Sequence, residues 1–408
     1  MFLKKYLIKV ICVALLALGV FACSTYVASA SKIQNFFRTH SIQGQTIFED
    51  ESDAQRAYDT LLNFCDNDEE NLDQVHDIKK LAGGLSGAII FAFMLEEHNY
   101  VGRLFAPNHN QEEMLHEVNA QSAVADIGYA PKIYLYDLQK RSVIMDLVQG
   151  KNLNDPSLTY DESLLKKCAL ALREIHGFSP VSTRDLQICK YAKNRIGLDA
   201  QQLIKICAEL FTESIVMEEL LGYVQQLCDV ANSMQHAVAL THNDFHCGNI
   251  LVDNAGSIKI IDWTDAGYDN PLNDCAILLH EYVPVIVDAE NFFKYYFSYE
   301  RRQEFLTYYL GRDPLPQESA SLRLLCSLYR IEVMARIISN STKEGENKEC
   351  LSQDSLKKSI DLYLNDGIVD QELARKSGYT VLALKAWIEE IKRYITEELD
   401  EDKKLLLS

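Results

Sequence analysis

Thr241–Asn249 reads THNDFHCGN, and Ile258–Trp263 reads IKIIDW after a short polar turn. In the first stretch an Asp stands two residues after a His, an Asn follows five residues later, and a second Asp comes 18 residues after the first. Phosphoryl transfer needs a carboxylate that orients the attacking hydroxyl and oxygen ligands that hold Mg²⁺. Asp244 fits the first role, and Asn249 and Asp262 fit the second. The two stretches therefore predict a catalytic loop followed by a metal-binding loop.

The residues around these loops predict a β-hairpin. Apolar runs at Asn249–Val252 and Ile258–Ile261 flank the turn sequence Asp253–Gly256, as in two antiparallel strands joined by a tight connection. Such a hairpin places the polar residues at the strand ends, which is where a catalytic loop and a metal loop require them. A plain surface hairpin with ordinary loop carboxylates is the alternative, and the combined spacing favours the catalytic interpretation.

The composition indicates a large globular chain without a nucleic-acid partner. Its 408 residues are 48% hydrophobic, enough to bury a sizeable core and to form two lobes. The net charge is −19, so the surface offers no basic face that would neutralise the phosphates of a nucleic acid. An acidic surface permits a cationic substrate, although it more often serves solubility.

The first 30 residues predict a signal-like leader. Lys4, Lys5 and Lys9 lead into an apolar run at Val10–Cys23, and small residues follow at Ala28–Ala30, the pattern typical of a secretory signal peptide. This run of 14 residues is shorter than the about 20 residues that span a bilayer. Any membrane attachment is therefore expected only through an uncleaved leader.

The cysteines favour a reducing compartment instead. None of the 11 forms a C-x-x-C pair, and scattered, unpaired cysteines are typical of proteins that work in a cytosol. The leader thus indicates export or membrane attachment, whereas the chemistry indicates action in an ATP-containing reducing cytosol. Export into another cell's cytosol and tethering to a membrane both stay open. The cysteines that stand among apolar residues, as small hydrophobic side chains do, are Cys168, Cys207, Cys228, Cys275 and Cys326.

A glycine cluster between two predicted strands is a candidate phosphate-binding turn. Ile78–Ala82 and Ala88–Leu95 read as strands around the sequence GGLSG. Without a Cβ in the way, the backbone N–H groups of such a turn can approach phosphates; a plain hairpin turn is the alternative. The candidate nucleotide-binding residues here are Gly83, Gly84, Ser86 and Gly87.

Arg103 stands in a third predicted strand, Tyr100–Phe105, where an apolar run has no structural need for a cation. A buried Arg needs a partner, and the predicted helix Gln111–Ile127 offers Glu113 and Glu117. Glu117 is favoured because it shares a helical face with apolar residues. A strand cation paired with a helix carboxylate positions a nucleotide phosphate contact in kinase folds. An edge-strand Arg in water is the alternative.

Two further strands are predicted at Pro131–Asp137 and Ser142–Val148, after which the chain crosses to a helical region through Gly150, a residue suited to a hinge. Exposed backbone donors and acceptors at such a crossover can hydrogen-bond adenine. The candidate adenine-site residues are Met145, Asp146, Leu147 and Val148.

The second half of the chain reads as mainly helical. Leu164–His176 predicts a core helix with His176 near its C-terminus as a cap, and Asp274–His280 predicts a helix after the metal loop. An aromatic-rich stretch covers Phe292–Tyr309, and a polar linker covers Ser339–Glu349. The expected organisation is a leader at 1–30, a helical segment at 31–76, an N-lobe at 77–149, a C-lobe at 150–341, and a linker with a helical extension at 342–408.

These motifs, in this order, resemble the aminoglycoside phosphotransferase and choline kinase superfamily. The resemblance is carried by His242–Asn249 and Ile261–Trp263, with Gly267, Pro271 and Asp274 behind them, and it is nearest to bacterial choline and thiamine kinases. It implies an α+β, protein-kinase-like fold with two lobes. The N-lobe would be an antiparallel sheet plus a helix, and the C-lobe would be larger and mainly helical. The resemblance covers about Ile78–Ser341, so the extra C-terminal helices are predicted from the sequence pattern alone.

The resemblance also implies cofactors and residue roles. The cofactors would be ATP and Mg²⁺, with Asp244 as the catalytic carboxylate and Asn249 and Asp262 as the Mg²⁺ ligands. The remaining implied roles are a phosphate contact for Arg103 held by Glu117, phosphate cover by Gly83–Gly87, an adenine site at Met145–Val148, and bracing of the catalytic loop by His242 and Asp274.

The expected acceptor is the hydroxyl of a small molecule of the choline, thiamine or amino-alcohol type. Thr264-Asp265 stands where choline kinases place an acidic-aromatic pair, so choline itself is not singled out. Aromatic residues between Tyr282 and Tyr299 predict either a cage for a quaternary ammonium or helix core. Alternatives are an aminoglycoside phosphotransferase and an exported effector kinase or pseudokinase that acts on a protein partner. No oligomeric state is predicted.

Overall fold

The computed structural model describes residues 31–42, 47–81, 87–155, 157–158, 162–178, 215–234, 237–280, 299–341 and 391–407. The leader, four residues of the glycine cluster (Gly83, Gly84, Leu85 and Ser86) and the aromatic residues from Tyr282 to Phe297 lie outside these ranges. Among the described residues, no helix combines the length and the apolar character that a membrane crossing requires.

The chain forms two compact units. The first comprises the residues up to Asp126 together with Ala130–Val148, and the second comprises Ile127–Tyr129 and the chain from Gln149 onward. Residues 31–76, which were expected to form a segment of their own, therefore belong to the same unit as the strands that follow them. The chain passes from the first unit to the second one residue before the position expected from the sequence.

Five antiparallel strands form one sheet in the first unit: β1 (His76–Lys80), β2 (Ile89–Leu95), β3 (His98–Leu104), β4 (Ile133–Asp137) and β5 (Ser142–Asp146). Their order across the sheet is β1-β2-β3-β5-β4. Among the described residues, three helices precede the sheet: α1 (residues 31–40), α2 (Glu51–Phe64) and α3 (Glu69–Leu72). Helix α4 (Gln111–Asp126) connects β3 to β4.

The central strands of this sheet pack against helices on both faces, so they carry apolar residues on both sides. Phe91 and Phe93 of β2 pack with apolar residues of α1 and α2 in one hydrophobic cluster. Phe105 and Val143 pack with Met114 of α4 in another. The N-terminal helices therefore complete the core on one face of the sheet, and α4 completes it on the other.

Arg56 fastens α2 to the sheet. Its guanidinium donates to the carbonyl oxygens of Phe105 at 2.8 Å, Lys140 at 3.1 Å and Arg141 at 3.2 Å, and it pairs with Asp53 at 2.8 Å. The three carbonyl contacts lie 49, 84 and 85 positions along the chain. Contacts between residues so far apart in the chain cannot be predicted from local sequence patterns. For this reason residues 31–76 were expected to form a separate segment.

The hairpin between β2 and β3 is tighter than the sequence predicted. His98 and Asn99, expected in the turn, are the first residues of β3 and pair with the end of β2. The turn consists of Glu96 and Glu97, and Glu96 has a φ of 55°. A two-residue hairpin turn needs such a positive φ. Glu is not among the residues that signal it, which explains the incorrect prediction.

The second unit is mainly helical and carries two small sheets. Strands β6 (Gly150–Asn152), β8 (Ile250–Asp253) and β9 (Ile258–Ile260) form one in the order β6-β8-β9, and β7 (Ala239–Thr241) pairs with β10 (Gly267–Asp269) in the other. Its described helices are α5 (Glu162–His176), α6 (Ile215–Ser233), α7 (Leu272–His280), α8 (Tyr299–Leu310), α9 (Pro316–Ser341) and α10 (Leu399–Leu406), together with helical residues 391–397.

Gly150, which the sequence indicated as suited to a hinge, is the first residue of β6, and a Cβ there would lie 2.0 Å from the carbonyl oxygen of Val252. Glycine is thus required for the close approach of β6 to β8. Ser339–Ser341, the first residues of the predicted polar linker, belong to α9, and the rest of that linker lies outside the described residues.

The C-terminal helices are held to α9 by a buried carboxylate. Asp402 of α10 is 1% exposed and accepts two hydrogen bonds from Arg323 of α9, at 2.5 and 3.0 Å. The hydroxyl of Tyr394 donates to the same carboxylate at 2.9 Å, and Glu398 lies 3.2 Å from the guanidinium. The described part of the C-terminal extension is therefore packed into the second unit.

Candidate active site

The catalytic loop predicted from the sequence connects β7 to β8 in the second unit. Its end, Cys247–Asn249, is a 3₁₀ turn that leads into β8. The backbone N–H of Ile261 donates to the carbonyl oxygen of Asn249 at 3.0 Å. Because Ile261 directly precedes Asp262, this bond brings the end of the catalytic loop beside the predicted metal loop.

Asp274 of α7 anchors the start of the catalytic loop. Its carboxylate is fully buried and accepts the backbone N–H of His242 on Oδ2 and that of Asn243 on Oδ1, both at 2.7 Å. Hydrogen bonds to an ionised acceptor are the stronger kind, so this contact fixes the backbone directly before Asp244. The bracing role expected for Asp274 thus has a geometric basis.

Two residues that the sequence did not identify extend this anchor. His176 Nε2 donates to Asp274 Oδ2 at 3.0 Å, and the hydroxyl of Tyr309 donates to His176 Nδ1 at 2.9 Å. His176 was expected to cap α5; instead its ring links α5 to α7 and α8. Burial raises the pKa of Tyr309, which keeps the proton that the hydroxyl donates.

His242 ties the two loops together through both ring nitrogens. Nε2 donates to the carbonyl oxygen of Ile261 at 3.0 Å, and Nδ1 accepts the backbone N–H of Asp244 at 3.2 Å. The residue is 1% exposed and packs edge-on against Trp263, with the ring centroids 4.6 Å apart. Both nitrogens are used by the backbone, so the residue braces the loop and has no atom left for proton transfer.

Asp244 presents the partly exposed carboxylate of the loop, with 23% of its side chain accessible. The side-chain amide of Asn249 donates to Asp244 Oδ2 and to the Asp244 carbonyl oxygen, each at 3.0 Å. Since the amide nitrogen of Asn249 is turned toward Asp244, its Oδ1 is the atom that can coordinate a metal. The pair therefore places a partly exposed carboxylate next to an amide oxygen that could bind a metal ion.

Asp262 follows β9 in a backbone conformation that ordinarily favours glycine. Its φ is 63°, and that of Asn243, beside Asp244, is 61°. Such conformations cost about 1–3 kcal/mol each and concentrate at functional sites. Side-chain contacts hold both residues: Thr264 Oγ1 donates to Asp262 Oδ1 at 2.8 Å, and Asn243 Nδ2 donates to the carbonyl oxygen of Asp265 at 3.2 Å.

The oxygen atoms of Asn249 and Asp262 suit Mg²⁺, a hard cation that prefers oxygen ligands. Over the described ranges, no group of three or more His, Cys, Asp and Glu side chains is placed to hold a metal ion. Mg²⁺ does not require such a group, because it commonly binds one or two carboxylates and completes its shell with waters and substrate phosphates. These residues therefore fit an ion that arrives with a nucleotide.

In the first unit, Arg103 and Glu117 form the buried ion pair that the sequence predicted. They are 8% and 2% exposed, and Arg103 Nη1 donates to Glu117 Oε1. The guanidinium also lies 4.7 Å from the centre of the Phe105 ring. Glu113, the other candidate, instead forms a capping box with Asn110: their N–H groups bond to each other's side chains at 2.8 and 3.3 Å.

The backbone of the predicted adenine site is partly used by the sheet. The N–H of Asp146 donates to the carbonyl oxygen of Lys132 at 3.0 Å, and that of Leu147 donates to the carbonyl oxygen of Asn99 at 3.1 Å. Both of these N–H groups already donate a hydrogen bond within the protein. The backbone carbonyl groups of this segment and Val148 are the remaining candidates for contact with a base.

The side chains of Met145 and Asp146 also make contacts within the sheet and its core. Met145 packs in the core under α4, and the Asp146 carboxylate accepts the hydroxyl of Tyr134 at 3.0 Å and faces His98 Nε2 at 3.3 Å. Burial, together with this hydrogen bond, raises the pKa of Tyr134 to about 12. The Asp146 side chain is therefore a contact of the sheet edge, and only its backbone stays a candidate for the nucleotide site.

Of the glycine cluster, only Gly87 lies in the described part of the chain. Its φ is 69°, in the left-handed region that favours glycine. Gly83, Gly84 and Ser86 lie outside the described residues, so their cover of the nucleotide phosphates stays a prediction.

Comparison with protein families matches residues 77–305, more than half of the chain, to the phosphotransferase enzyme family. Among solved structures, the chain is similar to an ethanolamine kinase from Plasmodium vivax, with a TM-score of 0.55 and 14% identity over 88% of this chain and 95% of that one.

Two more structures show the same likeness. A choline kinase from Cryptosporidium parvum has a TM-score of 0.54 and 12% identity over 81% of this chain and 93% of that one. A choline/ethanolamine kinase family protein from Mesorhizobium loti has a TM-score of 0.50 and 17% identity over 81% of this chain and 92% of that one. At these identities the likeness shows a shared fold. Comparison with curated proteins returns no match.

Proposed function

We propose that this chain, which belongs to the phosphotransferase enzyme family, transfers the γ-phosphoryl group of ATP to the hydroxyl of a small molecule with the help of Mg²⁺. The observation that carries the proposal is the Asp244–Asn249 pair. A partly exposed carboxylate is held at 3.0 Å by the amide of a metal-ligand candidate, in a loop whose backbone is fixed by Asp274.

The proposed reaction follows from how the Asp244 carboxylate is held. Oδ2 accepts the Asn249 amide, so Oδ1 is the oxygen that receives the proton of the acceptor hydroxyl. The hydroxyl oxygen forms a bond to the γ-phosphorus, the bond from that phosphorus to the β–γ bridging oxygen breaks, and ADP leaves. Asn249 and Asp262 would hold Mg²⁺, which when bound neutralises charge on the phosphates.

Arg103 is the proposed contact of this chain with a nucleotide phosphate. The guanidinium is always charged and offers donors in a fork that matches phosphate oxygens. Glu117 fixes its position by the buried ion pair. Beyond orientation, the carboxylate also offsets the cost of burying the cation, since an unpaired buried charge is strongly unfavourable.

The acceptor is proposed to be an alcohol of the choline, thiamine or amino-alcohol type. The net charge of −19 favours a cationic acceptor by long-range attraction, and that charge also keeps polycationic aminoglycosides among the candidates. Intact Asp244, Asn249 and Asp262 count against a pure binding role, because each is dispensable in a protein that does not transfer phosphate.

The test is acceptor-dependent release of ADP by the full-length chain with ATP and Mg²⁺. The panel is choline, ethanolamine, thiamine, homoserine, sugars and aminoglycosides. We expect turnover with one acceptor class, and its loss in Asp244→Ala and Asp262→Ala with the fold retained. Asp313→Ala, at an exposed position, is the matched control. ATP binding without turnover on any acceptor would favour a protein substrate or a binding role, and full activity of Asp244→Ala would refute the residue assignment.

A further inference from the structure

His246 is the second histidine of the catalytic loop, and none of the roles described so far uses it. Its Nδ1 accepts the backbone N–H of Gly248 at 2.9 Å. A ring nitrogen that accepts a hydrogen bond carries no proton, so the proton of the neutral ring lies on Nε2. His246 therefore presents a donor at Nε2.

That donor faces the catalytic carboxylate. His246 Nε2 lies 3.6 Å from Asp244 Oδ2, the same oxygen that accepts the Asn249 amide at 3.0 Å. A separation of 3.6 Å is longer than a hydrogen bond, and catalytic hydrogen bonds are commonly long before the substrate is bound and shorten in the reacting complex. His246 and Asn249 both lie beside Oδ2 of Asp244. Oδ1 is therefore the oxygen that can face the acceptor.

The local backbone holds the ring in this place. The N–H of His246 donates to the carbonyl oxygen of Asp244 at 2.8 Å, and the N–H of Asn249 donates to the carbonyl oxygen of His246 at 2.9 Å. A Cβ on Gly248 would lie 2.6 Å from His246 Cε1. The glycine thus leaves room for the ring, whose side chain stays 36% exposed.

We propose that His246 is a positioning residue for Asp244. Its Nε2–H donates to Oδ2 when nucleotide and Mg²⁺ are bound and, together with Asn249, fixes the carboxylate so that Oδ1 meets the acceptor hydroxyl. This inference rests on the proposed function, because the carboxylate needs a fixed orientation only if it receives a proton.

Two substitutions separate this role from a structural one. In His246→Asn the side-chain oxygen can still accept the Gly248 N–H, as a cap of the 3₁₀ turn does, but no donor reaches Asp244. In His246→Gln the longer side chain places an amide N–H near the position of Nε2. We expect His246→Asn to lower kcat by about 10-fold to 100-fold, a typical cost of misplacing a catalytic group, with unchanged KM for ATP. His246→Gln should recover part of the loss.

Wild-type kcat in His246→Asn, or a His246→Gln no faster than His246→Asn, would overturn the proposal. A second measurement does not depend on turnover: a ¹H–¹⁵N spectrum of the ring nitrogens in the full-length chain with ADP and Mg²⁺. We expect the His246 ring in its Nε2–H form, with an Nε2 resonance that shifts in Asp244→Asn. An unshifted resonance contradicts the contact with Asp244. A shifted resonance in a chain without turnover on any acceptor instead contradicts the proposed function alone.

Discussion

Asp274 shows how one buried carboxylate orders a catalytic loop. It accepts two backbone N–H groups of the loop and the ring of His176, at 2.7, 2.7 and 3.0 Å. Tyr309 in turn donates to His176. The four acceptor sites of a carboxylate make it suited to gather several donors, and a neutral side chain of the same shape offers fewer. The position of Asp244 therefore depends on a fully buried residue that lies outside the loop.

Asp274→Asn tests this dependence. The amide presents an NH₂ group to one of the two backbone N–H groups, which leaves a buried donor unsatisfied at a cost of about 1–3 kcal/mol. We expect a lower free energy of unfolding and a lower kcat, measured by denaturant titration and by steady-state kinetics. Asp313→Asn, at an exposed position, should change neither. Wild-type kcat in Asp274→Asn would show that the loop is positioned by other contacts.

The Arg103–Glu117 pair is a buried structural contact for which a role in nucleotide binding is proposed, and a double substitution separates the two. Arg103→Ala leaves Glu117 buried without its partner, and we expect a loss of stability of about 3–5 kcal/mol. Arg103→Met with Glu117→Met replaces the pair by apolar side chains and should restore stability. It should not restore ATP affinity, measured by calorimetry. Wild-type ATP affinity in the stable double variant would remove Arg103 from the nucleotide site.

At the scale of secondary structure, the sheet of the first unit depends on one glycine. Gly102 of β3 lies opposite Phe91 of β2, and a Cβ there would lie 2.2 Å from the Phe91 ring. The ring thus occupies the space that a side chain at this position would need, and it is one of the buried aromatic residues under α1 and α2.

Gly102→Ala should therefore destabilise the first unit. Phe91 has to leave its place or the strands have to separate, and overpacking of this kind costs about 1–3 kcal/mol. Gly222→Ala is the matched control, since nothing lies within 4 Å of a Cβ at that exposed position of α6. There the same change should stabilise the helix by about 0.5–1 kcal/mol. Equal effects of the two variants on the thermal midpoint would contradict this account of Gly102.

The sequence predicted the secondary-structure elements that have a local signal in the pattern of apolar residues. It did not predict the contacts between residues that lie far apart in the chain. The strands around Arg103 and the choice of Glu117 followed from apolar periodicity. The role of His176 did not, because its partners Asp274 and Tyr309 lie 98 and 133 residues away. The loop-bracing residues His242 and Asp274 were identified only through the resemblance to a known family. The spacing of residues in the sequence does not by itself indicate this role.

At the scale of the whole molecule, burial governs the titratable groups outside the site. The six described cysteines are buried thiols, and burial raises the pKa of Cys65 and Cys228 to about 11 and that of Cys168 to about 12. These thiols stay protonated near neutral pH and behave as small apolar side chains. The expectation drawn for Cys168, Cys228, Cys275 and Cys326 from their apolar neighbours is thereby confirmed.

The same effect on a histidine makes the stability of the second unit depend on pH. His280 is 4% exposed, and its ring packs against Tyr329 with the centroids 4.3 Å apart. Burial lowers its pKa from 6.5 to about 3, and the charges of Arg302 and Arg330 act in the same direction. Between these two pH values the unfolded chain binds one proton more than the folded chain. The stability that the neutral His280 ring contributes is therefore fully present above pH 6.5, and it is lost as the pH falls below this value.

His280→Gln should remove this contribution to the acid sensitivity. By linkage, the wild-type histidine costs about 2 kcal/mol of stability at pH 5 relative to neutral pH. We expect a shallower fall in the free energy of unfolding between pH 6.5 and 5 in the variant, followed by the fluorescence of buried Trp263. The slope is the quantity to compare, because the substitution also changes packing at every pH. His76→Gln, at an exposed site, should keep the wild-type slope. If His280→Gln has the same slope as the wild type, His280 takes up its proton equally in the folded and the unfolded chain. Its pKa would then not be lowered by folding.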